Sequence, residues 1–284
     1  MIFAGYTEKT ETEGIDYGCL TYGFSDCNEG VRTADLPYTQ KVFGGTYDEI
    51  IAFAEKEGSQ ARAAIVMTDG AGGENEFVLR LSKKLKCPVV GGGAARAFGK
   101  SGDGLFGGPV SSAAKQADIC LLFGDTPVQS AMFNIHTHIV GECTLELDGP
   151  RILKKIDGED AAQFLRAKKE ELGFAEQDFE HLTFSSLAGV NAHLSEDGGI
   201  IKSGRDLDEK MILRYVTADE VQGRMEEFYN EKPNSLVFGC AGLKGITPDA
   251  FECRNTGLFL FGEICALDGV SEFGNLMLSR IEIG

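Results

Sequence analysis

Apolar positions along the chain follow two periods, and the helical one comes with its own start signals. Thr46 and, three residues on, Glu49 precede Ile50, Ile51, Phe53 and Ala54, and Gly58 closes the segment. A hydroxyl at the cap and a carboxylate three positions later exchange hydrogen bonds with the free amides of a first turn, so this pattern predicts a helix. Thr217 and Glu220 repeat it ahead of Val221, Met225 and Phe228, with Pro233 beyond. Phe77, Val78, Leu81 and Leu85 within 74–86, and Ala161, Phe164 and Leu165 within 159–172, mark two more helices, each with one apolar face for a sheet.

Short apolar or alternating runs predict strands at 2–6, 17–24, 63–67, 89–92, 119–123, 135–140, 144–147 and 152–156. A second group follows at 182–187, 200–202, 211–215, 235–238, 258–261 and 276–281. Alternation on both sides of Asp148-Gly149, with Pro150 where the next strand begins, reads as a hairpin and requires antiparallel pairing. Strand 63–67, helix 74–86 and strand 89–92 read instead as a βαβ unit with a parallel pair. The expected fold class is therefore mixed α/β (α+β): two closely packed halves with mixed parallel and antiparallel sheets flanked by helices. The polar stretch 167–181 sets the division at 1–173 and 174–284.

Composition narrows the function classes. Lys and Arg number 27 against 44 Asp and Glu, a net charge of −17, and such a surface repels nucleic acid and anionic membrane. No apolar run reaches the ~20 residues of a membrane span, and the first residues lack a basic segment followed by a long apolar one. A cytoplasmic location is expected. Eight cysteines lie scattered without a C-x-x-C pair, several inside apolar runs, and read as reduced core thiols. Glycine, 37 of 284 residues, is nearly twice its usual ~7% share without any period, which implies many tight turns.

Four places could carry chemistry. Between strand and helix, Asp69-Gly70-Ala71-Gly72-Gly73 reads either as a turn or as an anion-binding loop at a helix N-terminus. It lacks the G-x-G-x-x-G spacing of dinucleotide sites, and no Walker A sequence occurs. Gly91, Gly92 and Gly93 leave a strand end where backbone could approach a ligand, with Arg96 either solvated or clamping a carboxylate. His136 and His138, two apart on the predicted strand 135–140, share a face and either meet solvent or ligate a metal or haem. No Ser-His-Asp or Cys-His set can be drawn from adjacency.

The last block is the most informative. Strand 235–238 runs into Phe238-Gly239-Cys240; Gly257 and then Gly262-Glu263-Ile264 follow; Asn275 opens the final strand. This resembles the C-terminal FIST region, a strand ending in Phe-x-Cys, a later Gly-x-x-x-x-Gly-Glu-Ile and an Asn before the last strand. Asp69-Gly70 after a strand, Pro88-Val89-Val90-Gly91-Gly92 and Ile156-Asp157-Gly158-Glu159-Asp160-Ala161 are similar to the N-terminal FIST region, so the likeness covers most of the chain. Two features depart from the family. Ala241-Gly242-Leu243 separates Cys240 from the first basic residue, Lys244, and the chain is short for both regions, with no signalling output domain.

The resemblance implies a sensory protein that binds a small molecule, amino-acid-like or otherwise anionic, and signals through a separate partner. Asp69, Gly91, Gly92, Gly93, Arg96, Cys240, Glu263 and Asn275 are the ligand-binding candidates, with amides and Arg96 on an anionic group and Glu263 and Asn275 on a polar or amino group. Two other classes stay open: an enzyme with Cys240 as nucleophile and Glu263 or a distant histidine as base, and a haem- or metal-based gas sensor using His136 or His138. Gly262 and Asn275 serving only as turn residues, and Cys240 as a small buried hydrophobe, is the structural alternative. No cofactor, metal or catalytic set is assigned on these grounds.

Overall fold

The computed structural model describes residues 19–22, 32–35, 38–69, 72–93, 116–175, 180–232, 235–240, 242–243, 256–260, 262–267 and 270–283. A two-stranded ribbon pairs β1 (Cys19–Tyr22) antiparallel with β2 (Arg32–Asp35). The expected run 2–6 lies outside the described residues.

A six-stranded sheet collects β3 (Thr39–Thr46), β4 (Ala63–Thr68), β5 (Val89–Gly93), β6 (Gln116–Phe123), β18 (Glu263–Leu267) and β19 (Val270–Gly274), in the order β19-β18-β5-β4-β6-β3. β4 and β5 are parallel, joined through α2 (Glu74–Lys84) as the βαβ pattern predicts, and the other neighbours are antiparallel. Every residue of β4 is buried because the sheet is covered on both faces, which is why its sequence is a continuous apolar run. On one face lie α1 (Tyr47–Glu57) and α2, whose Ile50, Ala54, Phe77, Val78 and Leu81 pack on Ala64, Val66, Ile119 and Leu121. The capping box of Thr46 and Glu49 closes as expected: the Thr46 amide donates to Glu49 Oε2 at 2.9 Å and the Glu49 amide to Thr46 Oγ1 at 3.4 Å.

The other face, with Ile65, Met67, Val90 and Leu122, meets Leu236, Phe238, Leu260 and Ile281 of a second sheet. That sheet contains β7 (Val128–Phe133), β16 (Ser235–Cys240), β17 (Thr256–Leu260) and β20 (Leu278–Ile283) in the order β17-β16-β20-β7, with β16 and β17 parallel. Its outer side carries α4 (Ala218–Glu231), whose Val221, Met225 and Phe228 cover Val237 and Leu278. The layers are thus helix, sheet, sheet, helix.

A third sheet runs β12 (Asn191–Ala192), β11 (Leu182–Ser185), β15 (Lys210–Tyr215), β8 (His138–Leu147), β9 (Ile152–Ile156), β14 (Ile200–Ser203) and β13 (Leu194–Asp197), with β10 (Glu159–Asp160) beside β9. Its two end strands, β12 and β13, are separated in the chain by His193 alone, so the sheet curls back on itself at that corner. Inside, Leu145, Ile156, Phe184, Ile201 and Met211 surround Ala161 and Leu165 of α3 (Ala161–Leu172). The hairpin at Asp148-Gly149 is present, closed by the Asp148 amide donating to the Ile152 carbonyl at 2.9 Å.

Mixed sheets flanked by helices are as expected, with differences in detail. Residues from both sides of position 173 contribute to each of the three larger sheets. The expected strand 135–140 begins only at His138 and continues through 144–147 as one strand, while Ile135 and His136 precede it in a buried, non-strand segment. The histidines therefore do not share a strand face. Cys87, Cys143, Cys240 and Cys265 are thiols outside any disulfide, and among the described residues no helix is long and apolar enough to cross a membrane.

Candidate functional site

At one end of the sandwich three chain turns come together: β16 ends at Cys240, Glu263 opens β18, and residues 275–277 link β19 to β20. The glycine strand β5 forms the wall beside them. Glu263 pairs opposite Gly92 and Ile264 opposite Gly91, and the Gly93 amide donates to the Gly262 carbonyl at 2.9 Å. A Cβ at Gly91 would overlap the Val66 carbonyl oxygen, and one at Gly92 the Gly262 carbonyl oxygen. At these two positions the close approach that glycine allows is thus to neighbouring strands.

Cys240 and Glu263 face each other in the seam between the sheets, 4% and 0% exposed. The backbone N–H groups of Leu276, Gly242 and Gly262 favour negative charge on the Cys240 sulfur. The Met277 amide donates to Glu263 Oε1 at 2.6 Å, and the Cys240 amide to the Met277 carbonyl at 3.2 Å. Glu263 Oε2 is buried with no hydrogen-bond partner. Two of these residues hold left-handed backbone: Gly262 at φ +85 and Leu276 at φ +54. For a bulky side chain such as leucine that conformation is strained, and strain of this kind gathers at functional sites.

Electrostatics follows from burial. Desolvation pushes the Cys240 thiol up to about 12, reinforced by the Glu263 charge and opposed by the three amides. Desolvation likewise holds the Glu263 carboxyl well above the usual carboxylate range, opposed by the Met277 amide, the Cys240 thiol and the Arg205 charge. Both shifts favour the uncharged forms. The backbone amides work the other way, without outweighing desolvation.

Asn275 ties this centre to the third sheet. Its amide donates to the Asn191 carbonyl at 2.9 Å, and its Oδ1 accepts from the His193 amide at 3.3 Å. Its side chain lies against Gly262 and Gly204, where a Cβ would come within 2.9 Å and 2.7 Å of it. Two further residues belong here that sequence reasoning missed. Arg205, 1% exposed, donates from Nη1 to the Val190 carbonyl at 3.3 Å, sits 3.6 Å from Glu272, and bears electrostatically on Glu263 and Cys265. His193 lies across Gly242 from Cys240, since a Cβ on Gly242 would stand 3.6 Å from Sγ and 3.9 Å from the His193 ring. Its Nε2 is 3.6 Å from Glu180. Neither carries a motif; only the fold brings them here.

The remaining candidates lie elsewhere. Asp69, 3% exposed, follows β4, and the Tyr47 hydroxyl donates to it at 3.5 Å; the Tyr47 ring stacks on Phe77 in the helix-covered core. Close by, buried Glu74 accepts from the Gly72 amide and from Arg151, both at 2.6 Å. Arg96 lies outside the described residues. His136 is fully buried, its Nε2 2.7 Å from the Glu180 carbonyl, whereas His138 is 41% exposed and pairs with Glu220 at 2.8 Å. Among the described residues no three His, Cys, Asp or Glu side chains converge to hold a metal ion. A scan against protein-family models matches no family to the chain, and a search of curated proteins matches none either.

Proposed function

We propose that this chain is a small-molecule-binding sensory protein whose ligand docks at the Cys240–Glu263–Asn275 centre and whose signal passes to a separate protein. The observation that carries the reading is Glu263 Oε2, a fully buried carboxyl oxygen without a partner. Leaving such an atom unpaired costs about 1–3 kcal/mol, a cost that a ligand donor removes. Asn275, held beside Gly262 by the third sheet, lets a ligand bias how the sandwich and the curled sheet sit together. The resemblance to FIST regions supports the same class, with an amino-acid-like or other small anionic ligand and with Arg96 and nearby amides on its anionic group. The charge of −17 favours a cytoplasmic protein without nucleic-acid or membrane partners.

Thermal-shift titration tests the reading, with amino acids, dicarboxylates, nucleotides and haem as probes. A ligand at about one hundred times its Kd stabilises the folded chain by about 2.7 kcal/mol, a clear rise in Tm. The expected result is a dose-dependent rise with one ligand class that Glu263→Gln removes. No rise with any probe, or a rise that Glu263→Gln leaves intact, overturns it.

A further inference from the structure

We propose that two copies of this chain pair through β7, antiparallel and edge to edge, so that their four-stranded sheets join into one across a two-fold axis. The inference goes beyond the sensory reading and does not rest on a ligand. β20 hydrogen-bonds β7 along one side, from Leu278 opposite Phe133 to Ile283 opposite Val128, and among the described residues no strand pairs with the other side. The outer row of backbone N–H and C=O groups is a template for a further strand. Folded chains blunt such edges with charge, proline or a bulge, and the edge strand β3 carries Lys41, 52% exposed. β7 contains none of these. It pairs with β20 residue for residue, and from Thr126 to Gly141 the sequence holds no Asp, Glu, Lys or Arg, in a chain where these make up 25%. Gln129 is exposed and the other five residues are partly so. Leu187, 69% exposed, is two residues from Gly189, where a Cβ would stand 4.0 Å from Met132 Cε, so an open apolar side chain flanks the strand.

Charge and order together select a second copy as the occupant. Each chain carries −17, so two copies repel over most of their surfaces and least along a strand that holds no charge. A copy also presents its strand already extended, without the ordering cost that a free peptide meets. The two faces of β7 then limit the register. Val128 packs into the core between the sheets and Phe133 against Phe228 of α4, so alternation sends Val128, Ser130 and Met132 inward and Gln129, Ala131 and Phe133 to the α4 side. A two-fold axis normal to the sheet keeps the α4 side of both copies on one face, which requires residues of like face to stand opposite each other. With most of the strand paired, the axis falls at Ser130 or Ala131. Either way Ala131 of one copy lies opposite its counterpart or two positions from it, and its small side chain lets the strands meet there.

A contact of two short strands belongs with the small interfaces, under about 1,200 Å², so a monomer–dimer equilibrium in the micromolar range is expected. Sedimentation velocity on the full chain from about 1 to 200 µM measures it. Ala131→Glu sets a carboxylate against its counterpart across the axis, while Arg280, opposite residue 131 on β20, gives that carboxylate a cation within its own copy. The variant is expected to raise the dissociation constant at least tenfold with the circular dichroism spectrum unchanged. Hydrogen exchange of the native chain supplies a second reading, in which amides within 128–133 exchange more slowly as concentration rises. A chain that stays monomeric throughout the range overturns the proposal, as does a dimer whose dissociation constant a folded Ala131→Glu leaves unchanged. Concentration-dependent protection confined to other segments overturns it too, and that measurement decides the matter if Ala131→Glu does not fold. A chain that dimerises through β7 but shifts with no ligand keeps this inference and loses the sensory one; the reverse outcome does the opposite.

Discussion

Acidification from pH 7 to pH 4 is expected to destabilise the fold through His136. Its ring is fully buried; Nε2 lies 2.7 Å from the Glu180 carbonyl and Nδ1 3.0 Å from Asn191 Nδ2. Asn191 cannot turn its oxygen toward the ring without cost, because its Oδ1 accepts from Asn134 at 2.8 Å while its amide donates to Asn134 Oδ1 at 3.0 Å. Nδ1 is therefore an acceptor, and the neutral ring with its proton on Nε2 is the one that fits. Desolvation brings the imidazole from 6.5 down to about 4, with the nearby His181 and Arg214 charges adding to it and the Glu180 carbonyl opposing. Between those values the unfolded chain holds a proton that the folded one lacks, so stability is complete above pH 6.5 and falls as pH falls toward 4. The 2.5-unit difference amounts to about 3 kcal/mol across the window, of which ~2 kcal/mol is lost between pH 7 and pH 5. Glu263, held above its usual range, acts in the opposite sense, its contribution being lost as pH rises beyond 4.5. The test is therefore a difference. Urea denaturation of the native chain and of His136→Gln at pH 7 and pH 5 is expected to show a pH loss smaller in the variant by ~2 kcal/mol. Equal losses in the two would refute the buried neutral histidine.

Gly262→Ala places a Cβ at φ +85, which costs about 1–2 kcal/mol by handedness alone, and sets it 2.5 Å from Phe273 Cζ. Urea denaturation should show at least that loss, and a change under about 0.5 kcal/mol contradicts the tight turn beside Cys240. Arg151→Ala strips the cation from Glu74, which is 1% exposed, and is expected to cost about 3 kcal/mol. In a double-mutant cycle Glu74→Gln should recover part of it, and strict additivity of the two substitutions would show that the pair is not coupled.

What could be read from the sequence follows how each strand is buried. β4, β5 and β16 lie inside sheets covered on both faces, so nearly every position is apolar and the runs stand out. β3 and β7 escape the same reading because each lies at a sheet edge with one neighbour, and Lys41, Gly44, Gly45, Gln129 and Ser130 break the apolar pattern. β12 and β13 are missed because the chain bends between them at His193, leaving two and four residues, too short for a period to show. The helices of Thr46 and Thr217 were legible for a local reason: a capping box is written in four consecutive residues and needs no knowledge of the rest of the fold.

The centre is harder to read because its chemistry is made by backbone. Cys240, Glu263 and Asn275 are singled out in the sequence only by the proposed resemblance to FIST regions; taken locally they are a strand end, a strand start and a turn. The amides that favour charge on the sulfur belong to Gly242, Gly262 and Leu276, and an amide has no letter in a sequence. Two costs nonetheless coincide here. A carboxyl is buried without a full set of partners, and a leucine is held in a left-handed conformation. Packing alone asks for neither, since apolar residues of similar volume in ordinary backbone would fill the same seam at lower cost. The strained leucine is a residue whose amide favours charge on the sulfur, and the neighbouring Met277 amide is the one that holds Glu263 Oε1. Strain at 276 and burial at 263 therefore serve one arrangement, a thiol and a carboxyl held face to face in a dry seam, and stability by itself gives no reason for a chain to build it.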